Sequence, residues 1–372
     1  MLTPIAIFLG IFYAAGMFLF AFVLWKRKPV NNTAYRPTVS IIVAARNEET
    51  RIGACISSLL SLSYPRHLLE VIIVDDHSTD RTSEVVQKHL AGDRTFRLVQ
   101  AGEPAGALRG KVNALVAGIE QASGEILLFT DADCVVPAGW VENTVQYYAD
   151  EDVAIVAGFI TLGGDGWLDA IQALDWLALL SAASATAALR FPVTAVGNNL
   201  SIRRSAYNRI GGYRNIPFSV TEDFALVKAV TTSRAGSVVL PLDPGTAIRT
   251  LPCSTISGLL AQRRRWFVGG RGMPAARVLA FAGIYLFHLA LVAGVWLLDP
   301  LLWSALVMTK LVADYLFVLP SLLVLHRPRL VRYWIHFQIY QALYILLLPL
   351  LALFSPRILW KDRVFRGNSV TP

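Results

Sequence analysis

Residues 71–80 read VIIVDDHSTD, a run of four β-branched residues followed at once by three aspartates, a histidine and two hydroxyl residues. The apolar run has the length and composition of a strand that is buried on both faces. In an open parallel sheet, ligands bind beyond the carboxyl ends of the strands. The acidic segment therefore marks the place where a binding site is expected, with helix capping as the alternative for Ser78 and Asp80.

Runs of the same kind flank this stretch, and segments with helical periodicity separate them. The strand-like runs are residues 39–45, 71–74, 97–99 and 126–129, and the helix-like segments are residues 49–62, 83–90 and 112–121. Strands that alternate with helices predict a mostly parallel α/β sheet. Globular composition extends from residue 31 to about residue 254, which is long enough for one covered core.

A second acidic motif, Asp131-Ala132-Asp133, follows the run at 126–129. Two carboxylates placed two residues apart on a strand-end turn can converge on one hard cation, and such a cation can bridge the oxygens of a diphosphate. The sequence contains no G-x-x-x-x-G-K-[ST] motif, and its first strand ends in Ala45-Arg46-Asn47-Glu48 rather than in G-x-G-x-x-G. An ATPase and a dinucleotide dehydrogenase are therefore disfavoured.

A basic segment, QRRRW, ends at Trp266 just before the C-terminal apolar region. On a helix, Gln262, Arg265 and Trp266 share one face and can reach into a site. Arg263 and Arg264 then point elsewhere and are expected to reach lipid phosphates. A basic run that only faces solvent or lipid is the alternative interpretation.

Composition identifies a membrane protein. The chain has 372 residues, of which 55% are hydrophobic and 16% charged, with a mean hydropathy of +0.50. Residues 5–25 are uncharged and can cross a hydrocarbon core of about 30 Å. Lys26-Arg27-Lys28 follows and nothing basic precedes, which predicts a retained anchor with the rest of the chain on the cytoplasmic side. The net charge of +8 then suits an anionic membrane surface better than nucleic acid.

Three further apolar stretches, residues 278–298, 301–325 and 333–354, bring the number of expected membrane helices to four. A fourth full crossing would place the basic tail outside, against the positive-inside rule. Either the last stretch is re-entrant or interfacial, or one boundary differs. Lys310 and Asp314 share a helical face, and a structural ion pair is favoured over a transport site.

Residues 167–191 are also long and apolar, but they contain Asp169, Asp175 and Arg190. If this stretch crossed the bilayer, the acidic motifs on its two sides would be separated and could not form one site. It is therefore expected to be a buried or interfacial helix, either guiding a lipid or packing in the core. The three cysteines lack the spacing of a disulfide framework or a zinc site, which favours a reducing compartment.

The order D-D-x-S-x-D, D-x-D, T-E-D (residues 221–223) and Q-x-x-R-W resembles the membrane-bound members of glycosyltransferase family 2, of the ceramide glucosyltransferase-like kind. The resemblance covers about residues 37–271. It implies a GT-A fold, which is Rossmann-like, with a nucleotide-sugar donor, Mg²⁺ or Mn²⁺, and inversion at the anomeric carbon. The implied organisation is an anchor (1–28), a GT-A domain (29–253), an interfacial helix (254–277), membrane helices (278–356) and a basic tail (357–372).

The resemblance also implies roles for individual residues. Asp131 and Asp133 are expected to bind the metal, and Asp223 is expected to be the general base, with Glu222 as its neighbour or substitute. The residues expected to bind the donor are Arg46, Glu48, Asp75, Asp76, Lys111, Asp131, Gln262, Arg265 and Trp266. For Asp223, capping of the following helix is the alternative.

The predicted protein is thus an inverting hexosyltransferase in the bacterial inner membrane, with its catalytic domain in the cytoplasm. Its partners would be a nucleotide-sugar, expected to be UDP-linked, and a membrane lipid or isoprenoid alcohol, and no nucleic acid is expected. A processive polysaccharide synthase is the alternative within the class. A transporter or non-catalytic scaffold is the alternative outside it.

Overall fold

The computed structural model describes residues 2–27, 29–30, 34–90, 92–104, 108–269, 275–354, 357–360, 363–366 and 369–370. Its strands are β1 (Val39–Ala45), β2 (Leu69–Asp75), β3 (Phe96–Gln100), β4 (Ile126–Asp131), β5 (Val153–Ala157), β6 (Ile160–Leu162), β7 (Asn199–Arg203), β8 (Ser237–Val239), β9 (Ile248–Thr250), β10 (Arg357–Trp360), β11 (Arg363–Arg366) and β12 (Ser369–Val370). Its α-helices are α1 (Leu2–Lys26), α2 (Ile52–Leu60), α3 (Thr82–Leu90), α4 (Lys111–Gln121), α5 (Trp140–Val145), α6 (Trp167–Ala188), α7 (Arg204–Arg209), α8 (Glu222–Thr232), α9 (Ile256–Gly269), α10 (Ala275–Leu297), α11 (Pro300–Val324) and α12 (Trp334–Phe354).

Seven strands form the central sheet in the order β3-β2-β1-β4-β7-β5-β8. Strand β1 pairs in parallel with β2 and β4, and β2 pairs in parallel with β3. Strand β7 is antiparallel to β4 and β5, and β8 is parallel to β5. The predicted mostly parallel α/β sheet is confirmed. Its register places Ala45 beside Asp75 and Ala44 beside Asp131, so the predicted site segments leave the sheet at one edge.

The strands are apolar throughout because both faces of the sheet are covered. Ile41 and Val43 belong to one hydrophobic cluster, and Ile42 between them belongs to the cluster on the opposite face. This division follows from the alternation of side chains along a strand. Ile56 of α2 packs on the first face and Leu115 of α4 on the second, which accounts for the predicted alternation of strands and helices.

Helix α6 joins the sheet domain to the membrane helices. The Ser184 hydroxyl donates to the Leu240 carbonyl next to β8 (2.6 Å), and Ser181 shares a hydrogen bond with Ser321 of α11 (2.6 Å). The helix is long and apolar enough to cross a membrane, but 83% of its apolar window is buried inside the protein. This burial favours the predicted packed position over a crossing, and lipid guidance stays a prediction.

Three other helices are long and apolar enough to cross a membrane: α1, residues Val278–Leu297 of α10, and α11. Helix α12, of 21 residues, follows α11 in the chain. The arrangement agrees with one N-terminal and two to three C-terminal membrane helices. The predicted boundary at residue 278 falls inside α10. The side of the membrane on which the tail lies stays a prediction, and Lys361 lies outside the described residues.

The pair predicted within the membrane helices is part of a buried polar cluster. Lys310 Nζ lies 2.7 Å from Asp314 Oδ2 and donates to Gln341 Oε1 at 2.9 Å, and it also donates to Gln338. The Tyr13 hydroxyl donates to Asp314 Oδ1 at 2.5 Å. These bonds join α1, α11 and α12, which favours the structural ion pair over a transport site.

Candidate active site

A cavity of about 510 Å³, here called the main cavity, lies beyond the carboxyl ends of β1 and β4. Further walls come from α6, from the segment before β7, from the start of α8 and from α9. All the predicted site residues except Asp75 line this cavity. They are Arg46, Glu48, Asp76, Lys111, Asp131, Asp133, Glu222, Asp223, Gln262, Arg265 and Trp266.

Hydrogen bonds join the loops that follow β1 and β2 into one rim. The Arg46 guanidinium donates to the Asp76 carbonyl (2.6 Å), and the Asn47 amide donates to Ser78 Oγ (3.1 Å). Asn47 and His77 have φ angles of 52° and 57°. Such left-handed conformations cost energy for residues other than glycine and persist where the surroundings define them. The hydrogen bonds between the two loops therefore hold these left-handed turns in place.

Asp75 lies behind this rim rather than on the cavity wall. Its Oδ1 accepts from the Ser78 amide (3.0 Å), and its Oδ2 accepts from Ser83 Oγ (2.5 Å) and from Gln100 Nε2 (3.2 Å). Burial opposes ionisation of Asp75, but these hydrogen bonds outweigh it and hold the pKa of the carboxyl below its ordinary value. The carboxylate of Asp75 therefore stabilises the loop after β2, and the neighbouring Asp76 lines the main cavity.

The hydrogen bonds of Asp80 support the capping interpretation for this residue. Its Oδ1 accepts from the amide of Thr82, the first residue of α3, at 3.0 Å, and its Oδ2 accepts from the Glu49 amide at 3.1 Å. Ser78 instead accepts from the β1 loop. Asp80 therefore stabilises the start of α3 and the rim at the same time.

Lys111 is held between two carboxylates. Its Nζ lies 2.7 Å from Asp131 Oδ1 and 2.8 Å from Glu222 Oε1. Burial alone would lower the pKa of Lys111, but Asp131 and Glu222 outweigh it and hold the pKa of that ammonium well above its ordinary value. The site therefore contains a permanent cation at the first residue of α4, next to the β4 aspartates.

Asp131 and Asp133 supply two carboxylates to the same wall. The described residues contain no cluster of three or more His, Cys, Asp and Glu side chains that could hold a metal ion by themselves. Two carboxylates suit Mg²⁺ or Mn²⁺, which are commonly held by one or two carboxylates together with substrate phosphates and water. Burial and both aspartates raise the pKa of the Cys134 thiol well above its ordinary value, so this thiol stays protonated. The two carboxylates thus suit a hard cation whose remaining ligands come from a diphosphate and water.

Asp223 lies in the first turn of α8 with its carboxylate at the cavity. Its Oδ2 accepts from the Gly197 amide (2.8 Å), and its Oδ1 accepts from the Phe224 amide (2.7 Å). Burial and the Glu222 carboxylate raise the pKa of Asp223 to about 6. A base whose pKa lies near neutral pH is suited to proton transfer. Gly197 permits the close approach, since a Cβ there would lie 3.0 Å from Glu222 Oε1.

The QRRRW segment is helical, as predicted, and forms part of α9. Gln262, Arg265 and Trp266 line the main cavity, in agreement with their shared face. Gly269 at the end of α9 packs against Thr221, and a Cβ at residue 269 would lie 2.2 Å from Thr221 Oγ1. This contact places the QRRRW helix beside the segment that contains Asp223.

Arg263 does not face lipid, and the prediction for this residue was wrong. Its side chain is 2% exposed, and its Nη2 lies 2.5 Å from Asp175 Oδ2 of α6. Its guanidinium carbon lies 4.2 Å from the centroid of the Trp266 ring. The Tyr340 hydroxyl of α12 also donates to Asp175 Oδ2 (3.2 Å). Helix α9 packs against α6 and α12, so Arg263, which helical spacing assigned to lipid, faces protein instead.

The Arg263–Asp175 pair yields a prediction about stability. We expect Arg263→Met to destabilise the protein by roughly 3–5 kcal/mol, because it leaves the Asp175 carboxylate buried without its cation. The double variant Arg263→Met/Asp175→Leu should recover most of this loss, since neither charge is then buried. Thermal unfolding in detergent measures both variants. A double variant less stable than Arg263→Met would show that the pair is not the source of the loss.

Asp175 and Arg263 are the site residues that the sequence analysis missed. Asp175 is one of three charged residues in an otherwise apolar stretch, and an isolated acid in such a stretch is a signal for a buried partner. Nothing in the sequence identifies that partner as Arg263, because 88 positions of chain separate the two residues. Trp176 adds a second contact between these helices, with its ring 4.9 Å from that of Trp266.

The sheet and the acidic cavity at its edge define a GT-A fold. Residues 40–218 match the family model described as glycosyl transferase family 2, and the chain therefore carries a domain of that family. A solved mannosyltransferase from Pyrobaculum calidifontis, in complex with GDP-Man and Mn²⁺, superposes with a TM-score of 0.59 at 22% identity, covering 90% of this chain and 98% of that one. This likeness shows that the fold is shared.

Two relatives are similar in sequence. Poly-beta-1,6-N-acetyl-D-glucosamine synthase of Staphylococcus epidermidis is 26% identical over 278 residues, which are 71% of this chain and 63% of the relative. Beta-monoglucosyldiacylglycerol synthase of Synechocystis sp. is 29% identical over 248 residues, which are 64% of this chain and 49% of the relative. The match thus spans 63% of the length of the first of these curated relatives and 49% of the second.

Proposed function

We propose that the protein is an inverting, metal-dependent hexosyltransferase that moves a sugar from a nucleotide-sugar, with UDP as the nucleotide, to a hydroxyl of a membrane lipid or isoprenoid alcohol. One observation carries the proposal: the main cavity is acidic at the strand ends and apolar toward the membrane helices. Its far side is lined by Leu179, Ala182, Phe267, Phe281 and Tyr344. Such a cavity suits a polar donor at one end and a lipid acceptor at the other.

The residues of the chain have distinct tasks in the proposed reaction. Arg46, Glu48 and Asp76 on the rim bind the nucleoside, and the permanent cation Lys111 faces the diphosphate together with Arg265. Asp131 and Asp133 would hold Mg²⁺ or Mn²⁺. When bound, the ion neutralises charge that develops on the leaving diphosphate. Gln262 and Trp266 complete the donor side from α9.

Asp223 is the proposed general base. The acceptor hydroxyl forms a bond to the anomeric carbon while the bond from that carbon to the diphosphate breaks on the opposite side, which inverts the configuration. The Asp223 carboxylate takes the hydroxyl proton. Its raised pKa suits this task, because a more basic carboxylate accepts a proton more readily. Glu222, which pairs with Lys111, keeps the neighbouring charge in place.

The test of the proposal is a transfer assay on membranes that contain the protein. Radiolabelled UDP-hexoses are supplied with a total lipid extract, GDP-mannose serves as the alternative donor, and lipid-soluble label is separated by thin-layer chromatography. We expect label in a lipid that carries one sugar, together with release of nucleoside diphosphate. Absence of transfer and of diphosphate release with every donor would contradict the assignment and favour a scaffold.

A processive polysaccharide synthase is the second candidate, supported by the similarity to the Staphylococcus epidermidis synthase. The same assay separates the two, since a polymer remains at the origin of the chromatogram and a single-sugar lipid migrates. The small number of membrane helices favours single transfer, because a secretion channel requires more spans than are described.

Topology gives a further prediction. We propose a position in the bacterial inner membrane with the sheet domain in the cytoplasm, because α1 ends at Lys26 and the next two residues of the sequence are also basic. In a Cys253→Ser background, Ser205→Cys on the exposed side of α7 should react with a membrane-impermeant maleimide only after permeabilisation. Leu301→Cys, at the start of α11, should react in intact cells. Labelling of Ser205→Cys in intact cells would reverse the orientation.

A further inference from the structure

A second cavity, of about 520 Å³, lies on the side of α6 that faces away from the main cavity. Ala170, Ala173 and Leu177 line the second cavity, whereas Asp175 and Trp176 line the main cavity. Helical spacing accounts for this division, because residues three, four and seven apart share a face. The two cavities therefore lie on different sides of α6, and Leu162 of β6 lines both.

The wall opposite α6 is basic. It is formed by residues 326–333, here called the basic connector, which join α11 to α12. His326, Arg327, Arg329 and Arg332 of the connector line the second cavity. Within the described parts of the chain, none of these three arginines forms an ion pair, and the guanidinium of Arg332 lies 4.8 Å from the Tyr333 ring centroid. Arginines gathered on a concave wall are suited to bind a phosphate group.

Two carboxylates lie on the α6 side of the same cavity. Asp165 precedes α6, and Asp169 in its first turn accepts from the Gly166 amide at 3.0 Å. Carboxylate oxygens accept hydrogen bonds from hydroxyl groups and repel additional phosphates. The cavity therefore fits a ligand with one phosphate and free hydroxyls better than it fits a polyphosphate.

The second cavity lies at the membrane boundary. The connector follows the candidate membrane span Pro300–Val324 directly, and it contacts α6 on the side of the sheet domain. Trp167, the first residue of α6, is 60% exposed, and Tyr333 lines the cavity. Tryptophan and tyrosine are enriched where membrane proteins meet lipid headgroups. With α11 across the bilayer, as the proposed topology has it, the arginines are expected at the level of the headgroups.

We propose that the second cavity binds the headgroup of an anionic phospholipid, with Arg327, Arg329 and Arg332 on the phosphate and Asp165 and Asp169 on headgroup hydroxyls. Phosphatidylglycerol has this chemistry. The apolar side chains of Ile160, Leu162 and Leu330 complete the lining. They suit the glycerol ester region of a lipid and have no role with free phosphate, and the volume is within the usual range for ligand sites.

The test measures lipid binding directly and does not depend on sugar transfer. Full-length protein in neutral detergent is titrated with phosphatidylglycerol or phosphatidylcholine, and bound lipid is counted by native mass spectrometry. We expect selective retention of phosphatidylglycerol. Arg329→Gln/Arg332→Gln should weaken its binding by about 10- to 30-fold, because each arginine near a phosphate contributes on the order of 1 kcal/mol.

Lys88→Gln/Arg94→Gln is the matched control, because it removes two exposed positive charges on the sheet domain far from the connector. This control should bind phosphatidylglycerol like the unmodified protein, and nucleotide-sugar binding should be unchanged in both double variants. Equal binding of the two lipids, or equal loss in the two double variants, would overturn the proposal. Displacement of phosphatidylglycerol by millimolar inorganic phosphate would overturn the lipid assignment and indicate a soluble anion.

Discussion

Replacement of Asp133 by asparagine is expected to lower sugar transfer by about 10³-fold, while the protein stays folded in the membrane. Asparagine keeps the size of the side chain and removes the charge that a hard cation requires. A divalent ion at a phosphate leaving group lowers the barrier by several kcal/mol, and each 1.36 kcal/mol corresponds to a factor of about ten in rate. The initial rate of transfer to lipid, at saturating donor, is the measurement.

Asp150→Asn is the matched control for Asp133→Asn. Asp150 is exposed, and its Oδ1 accepts from the Asp152 amide at 3.0 Å, a bond that the asparagine oxygen can keep. The control should transfer sugar at the normal rate. The unmodified enzyme should lose activity in a chelator and regain it with Mn²⁺ or Mg²⁺. Full turnover in chelator would show that the two aspartates serve the donor without a metal.

Replacement of Asp223 by asparagine should lower the transfer rate by roughly 10²- to 10⁴-fold, the usual loss for a positioned base. Donor binding should change little, because the proposed role of Asp223 is at the acceptor hydroxyl. Asp131→Ala should instead weaken donor binding, since its carboxylate lies at the diphosphate side beside Lys111. Calorimetric titration of each variant with the nucleotide-sugar, beside initial rates, separates the two effects.

The pH dependence of transfer provides a second readout for Asp223. Burial and Glu222 raise the pKa of this carboxyl to about 6. A base acts only when it is deprotonated, so activity should fall as pH drops through about 6 and level off above it. The residual activity of Asp223→Asn should lack this acidic limb. An unchanged limb in the variant would assign the titration to another group.

Helix capping is the alternative role for Asp223. The structure does not place Asp223 at the N-cap position of α8. The N-cap of α8 is Thr221, and Asp223 lies two residues further on, where it accepts from the Phe224 amide. An asparagine oxygen can keep one of the two backbone hydrogen bonds of Asp223, so a purely structural role predicts a modest loss of stability and near-normal turnover. That outcome would transfer the role of base to Glu222.

The sheet and most of the site were predictable from the sequence because their signals are local. Each apolar run that predicts a strand lies in the sheet, whose two faces are covered by helices, and each following motif leaves the sheet at its carboxyl edge. Parallel pairing of β1 with β2 and β4 then necessarily brings the β1 loop, Asp76 and Asp131 together. The resemblance to the family could also be seen in the sequence, because each of its four motifs is a short local pattern and the four occur in a consistent order.

The predictions were less accurate where the environment of a residue depends on which helices pack together. Asp75 and Asp76 are adjacent and chemically alike. Ser83 and Gln100 donate to Asp75 and hold it behind the rim, whereas Asp76 lines the main cavity. The side of α9 that contains Arg263 is basic in sequence, as a lipid-facing side would be. The charge of Arg263 is instead balanced by Asp175 of α6, and Tyr340 of α12 donates to the same carboxylate.

The sequence by itself determined the parallel α/β sheet, the acidic strand ends and the apolar helices, because strand burial and hydropathy depend on short stretches of chain. Only the tertiary structure decided that α6 is packed between the sheet and the membrane helices, and that it separates two cavities. Its composition allows a crossing as well as a buried position. The order of the acidic motifs already argues against a crossing, but the packed position itself follows from contacts with α9, α11 and α12, which lie 68 or more residues further along the chain and cannot be read from local periodicity.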